Sequence, residues 1–246
     1  MTAPRASVIV AAGGAGRRFA GAAPAAPGSG ATEPKVFLDL AGRPVLAYVL
    51  EAFAQVAAVA EIVAAVPGDR VAWARETFGE ALADGRPVVF VAGGEHRPDS
   101  VERALAASDR ATDLVAIHDA ARPLIRPAVI EEAMRVAVEQ GAAVVGRPVD
   151  HTVKRVDDHA RVTETVPRRH LWLAQTPQVF RREVIAQAYE HRGSLLGRVT
   201  DDAQLVEALG RPVAMVQGDA ANLKITTPED LRTCEALLAA GWPFEG

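Results

Sequence analysis

Ser7-Val8-Ile9-Val10-Ala11-Ala12-Gly13-Gly14-Ala15-Gly16-Arg17-Arg18 joins a short apolar run to small residues and two arginines. Ser7–Ala11 reads as a buried strand entering a glycine loop. The segments downstream repeat the theme. Pro44–Gln55 carries Val45, Leu46, Val49, Leu50 and Phe53 at helical spacing. Glu61–Val66 then reads as a strand, Asp69–Leu82 as a helix, Pro87–Ala92 as a strand, Asp99–Ser108 as a helix and Leu114–His118 as a strand. Strands this apolar, separated by helices, imply a parallel sheet covered on both faces. Pro127–Gln140 is a helix with Pro127 at its first position, Gly141 as its stop, and Val129, Ile130, Ala133, Met134 and Ala137 as its inner stripe. Ala142–Val145 follows as a strand.

The alternation is then interrupted. Thr152–Val156 and Arg161–Val166 alternate polar and apolar residues around Asp157-Asp158-His159-Ala160, which predicts a β-hairpin. A two-stranded ribbon is marginal alone. The hairpin is therefore expected to project from the main sheet and to pack on a second subunit, giving a homodimer through residues 149–175. Beyond Trp172–Phe180 the helices return. Arg181–His191 is one; another has Thr200 as N-cap, Asp201 and Asp202 in its first turn and Gly210 as its stop. Pro212–Gln217 reads as a strand. Thr227-Pro228-Glu229-Asp230 caps the last helix, whose inner face is Leu231, Cys234, Leu237 and Leu238.

Composition narrows the function classes. The 246 residues are 49% apolar and 24% charged with net charge −4, which suits one α/β domain with a sizeable core and no global basic field for nucleic acid. One cysteine, Cys234, rules out an intrachain disulfide and a cysteine-based zinc site. The six histidines have no metal-ligand spacing, and no apolar run is long enough to span a bilayer. A cytoplasmic protein with no membrane partner is expected.

Ala12, Gly13, Gly14 and Gly16 let backbone N–H groups approach phosphate oxygens, with Arg17, Arg18 and Lys35 supplying positive charge. No Gly-Lys-Ser/Thr follows, so this is not a Walker A loop. Phe19 stands at the third glycine of a dinucleotide fingerprint, and a plain turn remains open as an alternative. Pro34-Lys35 precedes Val36-Phe37-Leu38, so the lysine is held at the start of an ordered run. The Ala/Gly/Pro-rich segment Phe19–Pro34 has few anchoring side chains and is expected to be mobile without ligand. Asp119, within Ile117-His118-Asp119-Ala120-Ala121-Arg122-Pro123, ends a strand where open α/β sheets bind ligands. It is a candidate magnesium carboxylate, with a capping Asp before a turn as the alternative. His118 reads as a strand-end residue and not as a catalytic one.

Ala12–Arg18, Pro34-Lys35, Gly93-Gly94-Glu95-x-Arg97-x-Asp99-Ser100-Val101, His118–Pro123, Thr176-Pro177-Gln178, Thr200-Asp201-Asp202 and Asn222–Leu231 occur in this order over nearly the whole chain. This set strongly resembles the 2-C-methyl-D-erythritol 4-phosphate cytidylyltransferase family of the non-mevalonate isoprenoid pathway. The resemblance implies a Rossmann-like, mostly parallel sheet flanked by helices, of nucleotide-diphospho-sugar transferase type, with the hairpin as its arm. It implies transfer of the cytidylyl group of CTP to a polyol phosphate with Mg²⁺. Arg18, Lys35 and Lys224 would neutralise the reacting phosphorus. Ala12, Gly13, Gly14, Gly16, Arg17, Gly94, Glu95, Ser100 and Asp119 would bind nucleotide, with Asp119 also positioning the metal. Arg122, Thr152, Arg168, Thr176 and Thr200 would face the acceptor, Arg168 reaching across the dimer. Each of Arg122, Ser100 and Thr200 also has a structural alternative, as a loop-anchoring salt bridge, a helix N-terminal residue and a helix cap respectively. The segment before Lys35 is long for the family, Gly13 stands where many members have alanine, and Glu95 where aspartate is common. A ribitol 5-phosphate or sugar 1-phosphate nucleotidyltransferase shares the mechanism. A non-catalytic nucleotide-binding domain has no need of Arg18, Lys35, Asp119 and Lys224 together, and an NAD-dependent oxidoreductase has only the imperfect glycine motif behind it.

Overall fold

The computed structural model describes residues 3–13, 34–195 and 199–242. In chain order its elements are β1 (Ala6–Ala11), β2 (Asp39–Leu40), β3 (Arg43–Pro44), α1 (Val45–Ala54), β4 (Val59–Val66), α2 (Val71–Phe78), β5 (Val88–Ala92), α3 (Arg97–Ala107) and β6 (Leu114–Asp119). There follow α4 (Pro127–Gln140), β7 (Ala142–Pro148), β8 (Val153–Val156), β9 (Val162–Val166), β10 (Trp172–Arg181), α5 (Arg182–Glu190), α6 (Ala203–Ala208), β11 (Ala214–Gln217) and α7 (Pro228–Ala239).

Seven strands form one sheet in the order β11-β7-β10-β6-β1-β4-β5. All pairings are parallel except those of β10, which runs antiparallel to both β6 and β7. From β1 the chain builds outward through β4 and β5, then returns to the other side of β1 as β6. That reversal opens a crevice at the carboxyl ends of β1 and β6, where Ala11 lies opposite Asp119.

Alternation along β1 explains the layering. Ala6, Val8 and Val10 enter one core with Phe53 of α1 and Ile130 and Met134 of α4, while Ile9 enters the other with Val101 of α3, Ile185 of α5 and Leu205 of α6. Phe53 is fully buried, which contributes about 1.5–3 kcal/mol by apolar transfer. A third cluster joins Cys234 of α7 to Leu40, Leu124 and Ile225, with Leu231, Leu237 and Leu238 packed on it, as the stripe on α7 implies.

The expected hairpin is present as β8–β9, a two-stranded sheet separate from the main one, with Arg155 paired to Glu164 at 2.9 Å. Pro127 opens α4, and Gly141 ends it at φ +92°, a value at which a side chain would be strained. Two expectations need correction. The helix expected over Asp69–Leu82 is a turn of 3₁₀ helix followed by α2, and Gly79 at φ +76° stops it after Phe78. Thr200 is not a helix cap: α6 begins at Ala203 behind Asp202. Trp172–Arg181 is in addition the antiparallel strand β10, which no periodicity in its sequence marks.

Candidate active site

The site is built on Asp119, the last residue of β6. Its side chain is 9% exposed, and both carboxylate oxygens are engaged by cations. Arg97, the first residue of α3, donates from Nε to Oδ1 at 2.9 Å, and Lys224 donates from Nζ to Oδ2 at 2.7 Å. Burial by itself would raise the Asp119 pKa. The charges of Arg97 and Lys224 outweigh it and hold the carboxyl well below the usual range. Arg97 also reaches Asp202, Nη1 to Oδ2 at 2.7 Å, and the other Asp202 oxygen accepts from the Tyr189 hydroxyl at 2.6 Å. This lock was not legible in the sequence. Arg97 was visible inside a motif, but nothing local marked it as the bridge between two carboxylates.

Arg122 lies over the same carboxylate, its Nε 3.7 Å from Asp119 Oδ2, and its Nη1 donates to the Asn222 carbonyl at 2.8 Å. Among the described residues the buried Arg122 Nε has no hydrogen-bond partner and faces only the Asp119 carboxylate. A cavity of about 190 Å³ opens here, lined by Arg97, Asp119, Arg122, Thr176, Thr200 and Lys224 among others. Lys35 joins from the far end of the sequence by donating from Nζ to the Ile225 carbonyl at 2.7 Å, beside Lys224. Thr227 and Asp230 cap α7 reciprocally and so fix the chain just after Ile225.

The carboxyl ends of β1 and β5 approach each other closely through small residues. A Cβ on Gly13 would lie 2.8 Å from Ser100 Oγ, and one on Gly93 would lie 3.1 Å from the Gly13 Cα. Ser100 Oγ accepts from the Gly94 N–H at 3.0 Å, so Ser100 secures the turn into α3.

The family model for IspD, 2-C-methyl-D-erythritol 4-phosphate cytidylyltransferase, matches residues 6–240. The chain belongs to this family. A relative of that name from Pelotomaculum thermopropionicum is 41% identical over 234 residues, covering 95% of this chain and 94% of its own. A 2-C-methyl-D-erythritol 4-phosphate cytidylyltransferase from Thermus thermophilus superposes with a TM-score of 0.74 at 34% identity, covering 96% of this chain and 99% of its own. A 4-diphosphocytidyl-2C-methyl-D-erythritol synthase from Anaerococcus prevotii gives a TM-score of 0.81 at 27% identity, covering 96% of each chain. The cytidylyltransferase fold is thus that of the sheet described above.

Of the residues expected in the site of this cytidylyltransferase, Asp119, Lys224, Arg122, Thr176 and Thr200 line one cavity, and Lys35 is tied to its edge. Ala12, Gly13, Gly94 and Ser100 cluster at the ends of β1 and β5, while Glu95 is exposed in the turn beyond them. Thr152 and Arg168 are not in the cavity. Both are exposed at the base of the hairpin, where Arg168 Nη1 donates to the Asp150 carbonyl. Gly14, Gly16, Arg17 and Arg18, with nearly all of the Phe19–Pro34 segment expected to be mobile, lie outside the described residues.

Proposed function

We propose that this cavity joins CTP to 2-C-methyl-D-erythritol 4-phosphate, giving the CDP-linked product and pyrophosphate, in isoprenoid precursor synthesis. The observation that carries the proposal is Asp119, held ionised between Arg97 and Lys224 at the end of β6, with Arg122 Nε beside it. An oxygen of the acceptor's phosphate attacks the α-phosphorus of CTP. A P–O bond forms there, the bond from that phosphorus to the bridging oxygen of the β-phosphate breaks, and the electron pair leaves with pyrophosphate. The attacking phosphate is already anionic near neutral pH, so no side chain has to remove a proton. The chain supplies positioning and charge neutralisation.

Lys35, Lys224 and Arg18 are assigned to the reacting phosphorus. Ala12, Gly13, Gly14, Gly16, Arg17, Gly94, Glu95 and Ser100 are assigned to the nucleotide, and Arg122, Thr152, Arg168, Thr176 and Thr200 to the acceptor. Mg²⁺ fits Asp119: a small hard cation held largely by substrate phosphates and water needs only one or two protein carboxylates. Each Asp119 oxygen keeps acceptor capacity beyond its present bond. Among the described residues there is no cluster of three metal-binding side chains that would suggest an all-protein cage. When bound, the ion neutralises charge on the triphosphate.

The homodimer belongs to the same reading. Val156 and Val162 of the hairpin are 50% and 60% exposed, apolar area that a second copy would cover. The location proposed is the cytoplasm, where CTP is available. The test is pyrophosphate release from CTP with 2-C-methyl-D-erythritol 4-phosphate against ribitol 5-phosphate as acceptor. Turnover with the first supports the assignment, and turnover with the second alone overturns it.

A further inference from the structure

His118 precedes Asp119 and is fully buried, its ring edge-on to Phe53 at 5.2 Å between centroids. A packing role would be served by any apolar side chain of similar volume, yet both ring nitrogens are engaged. Nε2 lies 3.1 Å from the Arg122 carbonyl oxygen, which can only accept. In the neutral imidazole the proton therefore sits on Nε2, and Nδ1 is an acceptor. Its partner at 3.0 Å is the Thr176 hydroxyl, which must then donate. The lone pairs of that hydroxyl remain available, and the Asp119 N–H donates to it at 3.0 Å. The four groups form a chain of bonds with one direction, from the Asp119 amide through Thr176 and His118 to the Arg122 carbonyl.

We infer that His118 is a positioning residue for the transfer reaction: as its Nε2–H tautomer it fixes the Thr176 hydroxyl and the Arg122 loop, and so shapes the acceptor side of the cavity. The inference rests on the proposed function, since it takes Thr176 and Arg122 as acceptor-binding groups. The bonds connect residues from two strands that run antiparallel, and no backbone pairing holds them at this point: the β10–β6 register begins only at Gln178. The imidazole thus takes the place of a missing rung between β6 and β10, next to the residues that touch substrate. It makes no contact with the cavity itself, as it is absent from the lining. Partners at this remove commonly matter because they hold the contacting groups in one rotamer.

Two measurements on the full chain test this. The first is the ¹⁵N shift pattern of the His118 ring in the wild-type protein, which reports the tautomer without any substrate. An Nε2–H pattern is expected, and an Nδ1–H pattern overturns the inference. The second uses His118→Gln, whose amide can still donate toward the Arg122 carbonyl but offers Thr176 no equivalent acceptor. The KM for the acceptor is expected to rise on the order of tenfold, as for other orienting partners, with the KM for CTP unchanged. In a Thr176→Val background the same substitution is expected to have no further effect on that KM. Equal changes in both KM values, no change in either, or full additivity with Thr176→Val overturns the inference while leaving the wild-type activity standing. Absence of wild-type turnover would sink the functional reading itself, a result the ring shifts do not depend on. Should either variant fail to fold, the ring shifts of the wild type still decide the tautomer.

Discussion

Replacing Asp202 by alanine tests how the charge of Asp119 is held in place. Asp202 is 1% exposed, accepts from Arg97 at 2.7 Å and from Tyr189 at 2.6 Å, and its own N–H donates to Gln178 Oε1 at 3.0 Å. Asp202→Ala removes the carboxylate and leaves a buried tyrosine hydroxyl and one side of a guanidinium unpaired. Breaking a buried ion pair from one side costs about 3–5 kcal/mol. The Arg97 side chain is 25% exposed and keeps Asp119 at 2.9 Å, so water and one carboxylate offset part of the loss. The expected destabilisation is therefore about 3 kcal/mol, the low end of that range. For a chain of this size that lowers Tm by about 6–12 °C. Tyr189→Phe removes one bond to a charged group and should cost about 1.5–3 kcal/mol. Because the two side chains share that bond, the double variant should be scarcely less stable than Asp202→Ala alone. Urea and thermal unfolding followed by circular dichroism give all three values. Asp202→Ala within about 1 kcal/mol of wild type, below the range for a broken buried pair, would refute the reasoning, because Arg97 would then be held by solvent and not by the lock.

Lys35→Ala and Lys224→Ala are each expected to slow cytidylyl transfer by about 10²–10³, the usual effect of losing one preorganised stabilising contact. Near-normal single-turnover rates in both would exclude them from the chemistry. The depressed Asp119 pKa makes a prediction about acid. A carboxyl whose folded value lies below its unfolded one, about 3.9, contributes stability above that pH and loses it as pH falls toward the folded value. The difference in urea midpoint between wild type and Asp119→Asn should hence shrink as pH drops below about 4, and a difference that grows in acid would contradict the assignment. Gly13→Ala would place a Cβ 2.8 Å from Ser100 Oγ, forcing that hydroxyl off the Gly94 N–H. CTP binding should weaken by about 1 kcal/mol in calorimetry, and the effect should vanish in a Ser100→Ala background.

What the sequence disclosed depended on periodicity. Strands β1, β4, β5, β6 and β7 are apolar runs, α4 has a stripe with a proline at one end and a glycine at the other, and the hairpin is two short runs bounded by valines around a polar turn; all were legible. Strand β10 was not, because its pattern is broken by Gln175, Pro177 and Gln178. The structure accommodates them where the pairing with β7 shifts between Ala174 and Gln178, and Gln178 is buried because its side chain serves Asp201 and the start of α6. Thr200 misled for a related reason. Threonine before two aspartates looks like a cap, yet its N–H and hydroxyl both turn to Gln204, and Gln178 takes the first free amides of α6. In the site, charged residues beside motif glycines and strand ends could be singled out one at a time. Their pairing could not: that Arg97 joins Asp119 to Asp202, and His118 joins Thr176 to Arg122, follows from strand order and not from spacing along the chain.

On the proposed function, CTP reacts at the crevice between β1 and β6 with its triphosphate on Asp119. A crystal structure of the protein with CTP and Mg²⁺ tests it most directly. The metal is expected on the Asp119 carboxylate, the α-phosphate between Lys35 and Lys224, and the cytosine against Gly94 and Ser100. A nucleotide bound elsewhere, with Lys224 still on Asp119 as now at 2.7 Å, would contradict it.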